Sequence, residues 1–149
     1  NSAPLWDGPF AAPLPRELQR ITSTFAEMRS YNGGPISEYH AGIDFGAPGG
    51  TPVQADAGGV VALAEALTVR GNAVIIDHGC GVFSGFWHLS EIKVSAGDTV
   101  AAGDVVGLVG TTGLSTGDHL HWELRVGGIA VDPRQWTART MPWGALPAE

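Results

Sequence analysis

The stretch "GNAVIIDHGCGVFSGFWHLS", residues 71–90, decides the fold class. Its first half, "GNAVIIDHG" (71–79), is a mostly apolar run with β-branched residues, bounded by glycines. Such side chains are stiff and suit extended backbone. The next apolar run, "GVFSGFWHLS" (81–90), starts after only a few residues, so the pair predicts a β-hairpin.

The same pattern extends in both directions. Upstream, "TPVQA" (51–55) and "GGVVALAEAL" (58–67) are separated by the turn-rich "DAGG". Downstream, "DTVAAGDVVGLVG" (98–110) is two short apolar runs around "AAGD", a second hairpin signature. "HLHWELRVGG" (119–128) and "IAVDP" (129–133) follow, joined by a Gly-Gly turn. Six to nine short strands with glycine turns predict an all-β architecture, a compact antiparallel sandwich or half-barrel with a groove and little helix. The 22 glycines, 10 prolines and 15% charged residues agree.

The 149 residues fit one domain able to bury a core without staples. Residues 1–19 hold Pro4, Pro9, Pro13 and Pro15 and read as an extended lead-in, which Trp6 and Phe10 predict to dock. Residues 20–137 carry the β pattern, and 138–149 read as a C-terminal tail. "PRELQRITSTFAEMR" (15–29) fits one helical turn, and its "RITSTF" fits a short strand equally well. No repeat or low-complexity block occurs.

A net charge of −7, with Lys93 the only lysine, argues against binding nucleic acid through a basic surface. Cys80 is the only cysteine, which excludes an internal disulfide and a cysteine-based zinc knuckle. No apolar stretch approaches the roughly 18 residues of a transmembrane helix. The opening "NSAPLWDGPF" has neither a basic start nor an apolar h-region. A mature fragment of a secreted protein and a cytosolic protein both fit that opening.

The chemistry is in the histidines: His40, His78, His88, His119 and His121. In "GDHLHWELR" (117–125), strand alternation puts His119 and His121 on one face. In "EYHAGIDF" (38–45), Asp44 follows His40 by four, and an extended spacer would keep both on one face. His40, Asp44 and one histidine of the H-x-H pair make a hydrolytic zinc set, three protein ligands with a fourth position for water. The remaining histidines suit acid–base work. The same ligand types fit the open iron site of non-haem oxygenases. Those sites usually bring His and Asp closer together on a strand and do not need the additional histidines.

"HAGIDF" (40–45), "WHLS" (87–90) and "STGDHLHWE" (115–123), in that order, resemble the lysostaphin/LytM-type zinc metallopeptidases, which cut peptide bonds in bacterial peptidoglycan. The likeness runs from about Ile21 to Trp136 and includes "ITSTF", "APGGTPVQADAGGVV", "GNAVIIDHG", "VSAGDTVAAGDVVGLVGTTG" and "VDPRQW". The resemblance implies one zinc ion bound by His40, Asp44 and His121, with His88 and His119 as catalytic residues and no other cofactor. It implies peptidoglycan stem peptides or cross-bridges as substrate, and a periplasmic or extracellular location. An attachment domain or partner outside this chain would supply hold on the wall. His119 is assigned as general base, with His88 helping to stabilise the oxyanion or to protonate the leaving amine, although the sequence does not resolve which of the two does which. His78 lies outside the catalytic motif and reads as structural.

Three residues depart from the family pattern: Asp118 for proline before His119, Trp87 for a small residue before His88, and Ser84 for threonine. None removes a ligand, so they bear on substrate preference. Asp118 is expected to loosen its turn or to hold His119. A rival reading is a non-catalytic or autoinhibited wall-binding module of the same fold, and the lead-in is long enough to reach a nearby cleft. A biotinyl- or lipoyl-type carrier is excluded because Lys93 is not on a hairpin tip. Trp122 and Trp136 read as core or rim packing, "GTTGLSTG" (110–117) as a cleft wall, and Tyr31 and Asn32 as part of a loop over the cleft.

Overall fold

The computed structural model describes residues 3–26, 28–30 and 36–142, with backbone alone for 28–30 and 36–39. Tyr31, Asn32 and the end of the tail lie outside the described residues. The strands are β1 (Ile21–Ser23), β2 (Met28–Ser30), β3 (Ile36–Tyr39), β4 (Ile43–Gly46), β5 (Pro52–Gln54), β6 (Gly59–Leu67) and β7 (Gly71–Asp77). They continue as β8 (Val82–Leu89), β9 (Glu91–Ile92), β10 (Thr99–Val100), β11 (Val105–Leu108), β12 (His119–Val126) and β13 (Ile129–Val131). One short helix, α1 (Pro133–Ala138), closes the described chain. Asp132 caps it by accepting from the Arg134 backbone N–H at 3.0 Å.

An eight-stranded antiparallel sheet runs in the order β1-β4-β12-β8-β7-β6-β10, with β13 also paired to β12. A three-stranded sheet, β5-β11-β9, is the second layer, and β2 and β3 pair separately. The expected hairpins β7–β8 and β12–β13 both form. Apolar alternation then decides which face is inside. Leu120 and Trp122 of β12, with Phe86 of β8 and Val74 and Ile76 of β7, are fully buried in one cluster with Val53 and Val106 of the second sheet, while Leu124 of β12 is buried in a second cluster with Trp6, Phe10 and Trp136.

The expected hairpin across "AAGD" is not there. β10 pairs with β6 in the large sheet, while β11 pairs with β5 and β9 in the small one. The chain does turn: Asp104 accepts from the Ala101 backbone N–H through its carboxylate at 2.9 Å. However, Gly103 and Asp104 form backbone hydrogen bonds with Ala55, which draws the following strand into the other layer. Tertiary pairing overrides the local signature because both Val100 and Val106 must reach the same core from opposite sides.

"PRELQRITSTF" satisfies both of its readings in turn, as a 3-10 turn at Arg16–Leu18 and then β1. The lead-in docks as Trp6 and Phe10 predict. These two residues form edge-to-face contacts with each other and with Trp136 at 5.3–5.9 Å between ring centroids. Backbone hydrogen bonds from Leu5 to His78, Phe10 to Trp136 and Ala11 to Asp56 fix the lead-in along its length. Beneath it lies a fully buried polar knot. His78 meets the Gly58 carbonyl and the Ser84 hydroxyl at 2.7 Å each, Ser84 donates to Asp56 at 2.9 Å, and the Trp122 indole donates to the same carboxylate at 2.9 Å. His78 and Ser84 are thus structural.

Candidate metal centre

The site lies on the large sheet's other face. On β12 the two-residue period carries His119, His121, Glu123 and Arg125 to that face while their neighbours enter the core. Asp44 of β4 sits directly across from His121 in the ladder. Directly opposed residues point to the same side, and His121 Nδ1 and Asp44 Oδ1 are 2.9 Å apart.

His40 arrives by a different route from the one expected. Four residues of extended chain would span about 13 Å, yet His40 Nε2 is 3.3 Å from Asp44 Oδ1. The spacer is therefore not extended, and β4 begins only at Ile43, after a bend. Gly42 makes the bend feasible, because a Cβ there would stand 2.3 Å from the Trp122 carbonyl oxygen and 2.9 Å from His121 Nε2. The sequence does contain this signal, as a glycine between two candidate ligands.

The three donor atoms fit a metal ion. His40 Nε2 and His121 Nδ1 are 3.2 Å apart, and each lies 2.9–3.3 Å from Asp44 Oδ1. A tetrahedral ion with arms of about 2.0 Å places its ligands about 3.3 Å from one another. The far nitrogens fix the tautomers. His40 Nδ1 lies 2.9 Å from the Thr24 carbonyl, which can only accept, so the proton is on Nδ1 and the lone pair of Nε2 faces the trio. His121 Nε2 donates to Glu123 Oε1 at 3.0 Å, which leaves Nδ1 facing Asp44. Glu123 is itself gripped by Arg125 at 2.6 Å. Sequence reading gave Glu123 no role, although its position two residues after His121 places it on the ligand face.

Electrostatics follow from burial and pairing. Burial pushes Asp44 up, but pairing with His121 and His40, which donate to it when doubly protonated, outweighs this and holds the carboxyl well below the usual carboxylate range. Burial pulls His121 down, and the carboxylates of Asp44 and Glu123 raise it above its ordinary value. Glu123 is raised by burial and lowered further by His121 and Arg125, ending below its ordinary value.

His88 and His119 complete the cluster with ring centroids 5.0 Å apart. His88 Nδ1 meets the Thr112 carbonyl at 2.8 Å, and His119 Nδ1 meets the Gly117 carbonyl at 2.9 Å. Carbonyls only accept, so each ring carries its proton on Nδ1 and keeps Nε2 as a base. His119 Nε2 lies 3.9 Å from Asp44 Oδ1. Burial, with smaller contributions from the neighbouring histidines, lowers His88 below its ordinary value against the opposing Thr112 bond. His88 also holds a left-handed backbone, φ 64°, pinned by its N–H to the Arg70 carbonyl at 2.7 Å.

All five expected residues thus line one cleft of about 740 Å³, walled by Leu114–Asp118 as the glycine-rich segment suggested. Asp118 does not hold His119; its carboxylate accepts from the Gly49 backbone N–H at 3.2 Å and ties the wall to the opposite loop. No residue of 3–19 lines this cleft. The described lead-in therefore stays out of the cleft, because its backbone bonds hold it at His78, Asp56 and Trp136.

The family profile of peptidase family M23 matches residues 38–133. The DD-carboxypeptidase/endopeptidase Mpg of Neisseria meningitidis is 43% identical over 122 residues, 80% of this chain and 27% of that protein. The peptidoglycan DD-endopeptidase ShyA of Vibrio cholerae is 41% identical over 116 residues, 76% of this chain and 26% of that protein. The chain therefore spans about a quarter of the length of these relatives. Among solved structures, a zinc-containing peptidase from Vibrio cholerae superposes with a TM-score of 0.79 at 32% identity, over 84% of this chain and 39% of that one. The catalytic domain of lysostaphin from Staphylococcus simulans does so at 0.73 and 29% identity, over 87% and 98%.

Proposed function

Because this chain belongs to peptidase family M23, we propose that it is a zinc endopeptidase that hydrolyses peptide cross-links of peptidoglycan, in the periplasm or outside the cell. One observation carries the reading: the donor atoms of His40, Asp44 and His121 converge, with both imidazoles already in the ligating tautomer. A closed structural zinc site would use four protein ligands, whereas three leave a position open. Zinc held here would polarise the scissile carbonyl and bring the pKa of a water toward about 7.

The chain's own residues do the rest. His119, with Nε2 turned toward the ligand set, takes the proton of the attacking water. His88 faces His119 across the cleft with Nε2 free to take up the proton that His119 removes, and once protonated there it hydrogen-bonds the developing oxyanion or passes that proton to the leaving amine. Glu123 and Arg125 act through His121 and are positioning residues. The DD-specificity named for the relatives makes a D,D cross-link the first bond to test.

The deciding experiment is mass spectrometry of purified peptidoglycan of several wall types after incubation with zinc-loaded protein, beside His121→Ala. New amino termini with the wild type alone are expected and identify the bond. A zinc-loaded wild type that releases nothing from any wall overturns the reading in favour of a wall-binding module.

A further inference from the structure

The face that carries the metal ligands does not end at them. Below His121 the β12–β8 ladder continues with His121 opposite Trp87, Glu123 opposite Gly85 and Arg125 opposite Phe83. Trp87 and the last two of these pairs floor a second cavity of about 430 Å³ with mostly apolar walls, and Trp87 lines both this cavity and the metal cleft. The turn after β6 spans them in the same way, with Val69 in the cleft and Arg70 in the cavity.

Trp87 and Gly85 are built as a pair. The indole stacks on the His121 ring at 4.4 Å and 23°. Its N–H is buried and has no acceptor, and a Cβ on Gly85 would come within 2.9 Å of that nitrogen. A side chain at position 85 would thus displace the ring. The Arg70 guanidinium lies over the same indole, 4.6 Å from its centroid. Unlike Arg125, it has no carboxylate partner among the described residues, although the chain is acidic overall. A positioned cation and an unused N–H donor, one ring away from a metal ligand, together match a carboxylate.

We propose that this cavity is a substrate subsite, in which Arg70 and the Trp87 indole N–H receive a free carboxylate on the residue next to the scissile bond. The inference rests on the endopeptidase reading above. It follows that the enzyme discriminates peptides by that carboxylate, and that blocking it as a carboxamide leaves Arg70 buried against the ligand without its counter-charge.

The test uses two fluorogenic peptides with one D-alanyl bond to a diamino acid, identical except that the diamino acid carries a free carboxylate or a carboxamide. Zinc-loaded wild type is expected to favour the carboxylate peptide about tenfold in kcat/KM, as one charge-assisted hydrogen bond warrants. Arg70→Gln should erase that preference through KM rather than kcat, and Trp87→Phe, which keeps the ring and removes the N–H, should weaken it partly. An Arg70→Gln loss that is equal on both peptides, or absent, overturns the subsite. If wild type cuts neither peptide, the endopeptidase reading fails instead, and calorimetric titration of the same uncut peptides judges the subsite. Selective binding of the carboxylate form that Arg70→Gln abolishes supports it, and indifferent binding overturns it.

Discussion

Single atoms decide the site. Glu123 fixes the proton of His121 on Nε2, so Glu123→Gln, which keeps the shape and loses the charge, should weaken zinc binding about 10- to 100-fold. Competition against a chromogenic chelator measures this directly, and an unchanged affinity would remove Glu123 from the site's support. Gly42→Ala places a methyl group 2.3 Å from the Trp122 carbonyl oxygen. Backbone must move, so a loss of more than about 2 kcal/mol is expected, with Tm falling by several degrees and zinc stoichiometry falling with it. A variant that melts like wild type and holds a full equivalent of zinc would refute the tight bend. The candidate ligand residues stood out in the sequence because metal chemistry restricts residue type. The bend was not, because a spacing of four is equally compatible with an extended chain and with one folded back on itself. Only the contact with Trp122, 80 residues away in the chain, tells them apart.

At the level of elements, apolar runs bounded by glycines made β7 and β8 readable and alternation made β12 readable, since all three send side chains into the core. The "AAGD" turn was misread for the opposite reason: β10 and β11 are too short to carry a period, and their partners lie elsewhere in the chain. The knot below the β7–β8 hairpin yields a prediction about pH. Burial pulls His78 down, but Asp56, 3.4 Å away, together with the Gly58 carbonyl raises it above the ordinary 6.5. A raised folded value means that the stabilisation is complete below about pH 6.5 and fades as pH climbs through the folded pKa. The Tm difference between wild type and His78→Gln should therefore be largest near pH 6 and shrink toward pH 9. Calorimetry across that range checks it, and a difference that grows with pH contradicts the assignment.

Across the whole molecule, the lead-in and the last helix close over one end of the sandwich through Trp6, Phe10 and Trp136, and the Trp6 indole donates to the Met141 carbonyl at 3.3 Å. Trp6→Ala should cost about 3 kcal/mol or more. Removing residues 1–14 also takes Leu14 from the main core, so this deletion should lower Tm further and should not raise peptidase activity. A more active truncated protein, followed with a fluorogenic peptide, would restore the idea of a self-blocking segment. The parity of β12 has a consequence for how such a chain can evolve. Because His119, His121, Glu123 and Arg125 share one face by a count of two, one inserted residue among them would turn the remainder into the core. Point changes at Trp87 or insertions in the 110–117 wall leave that count intact, whereas one residue more or fewer in this strand dismantles the site and the core together.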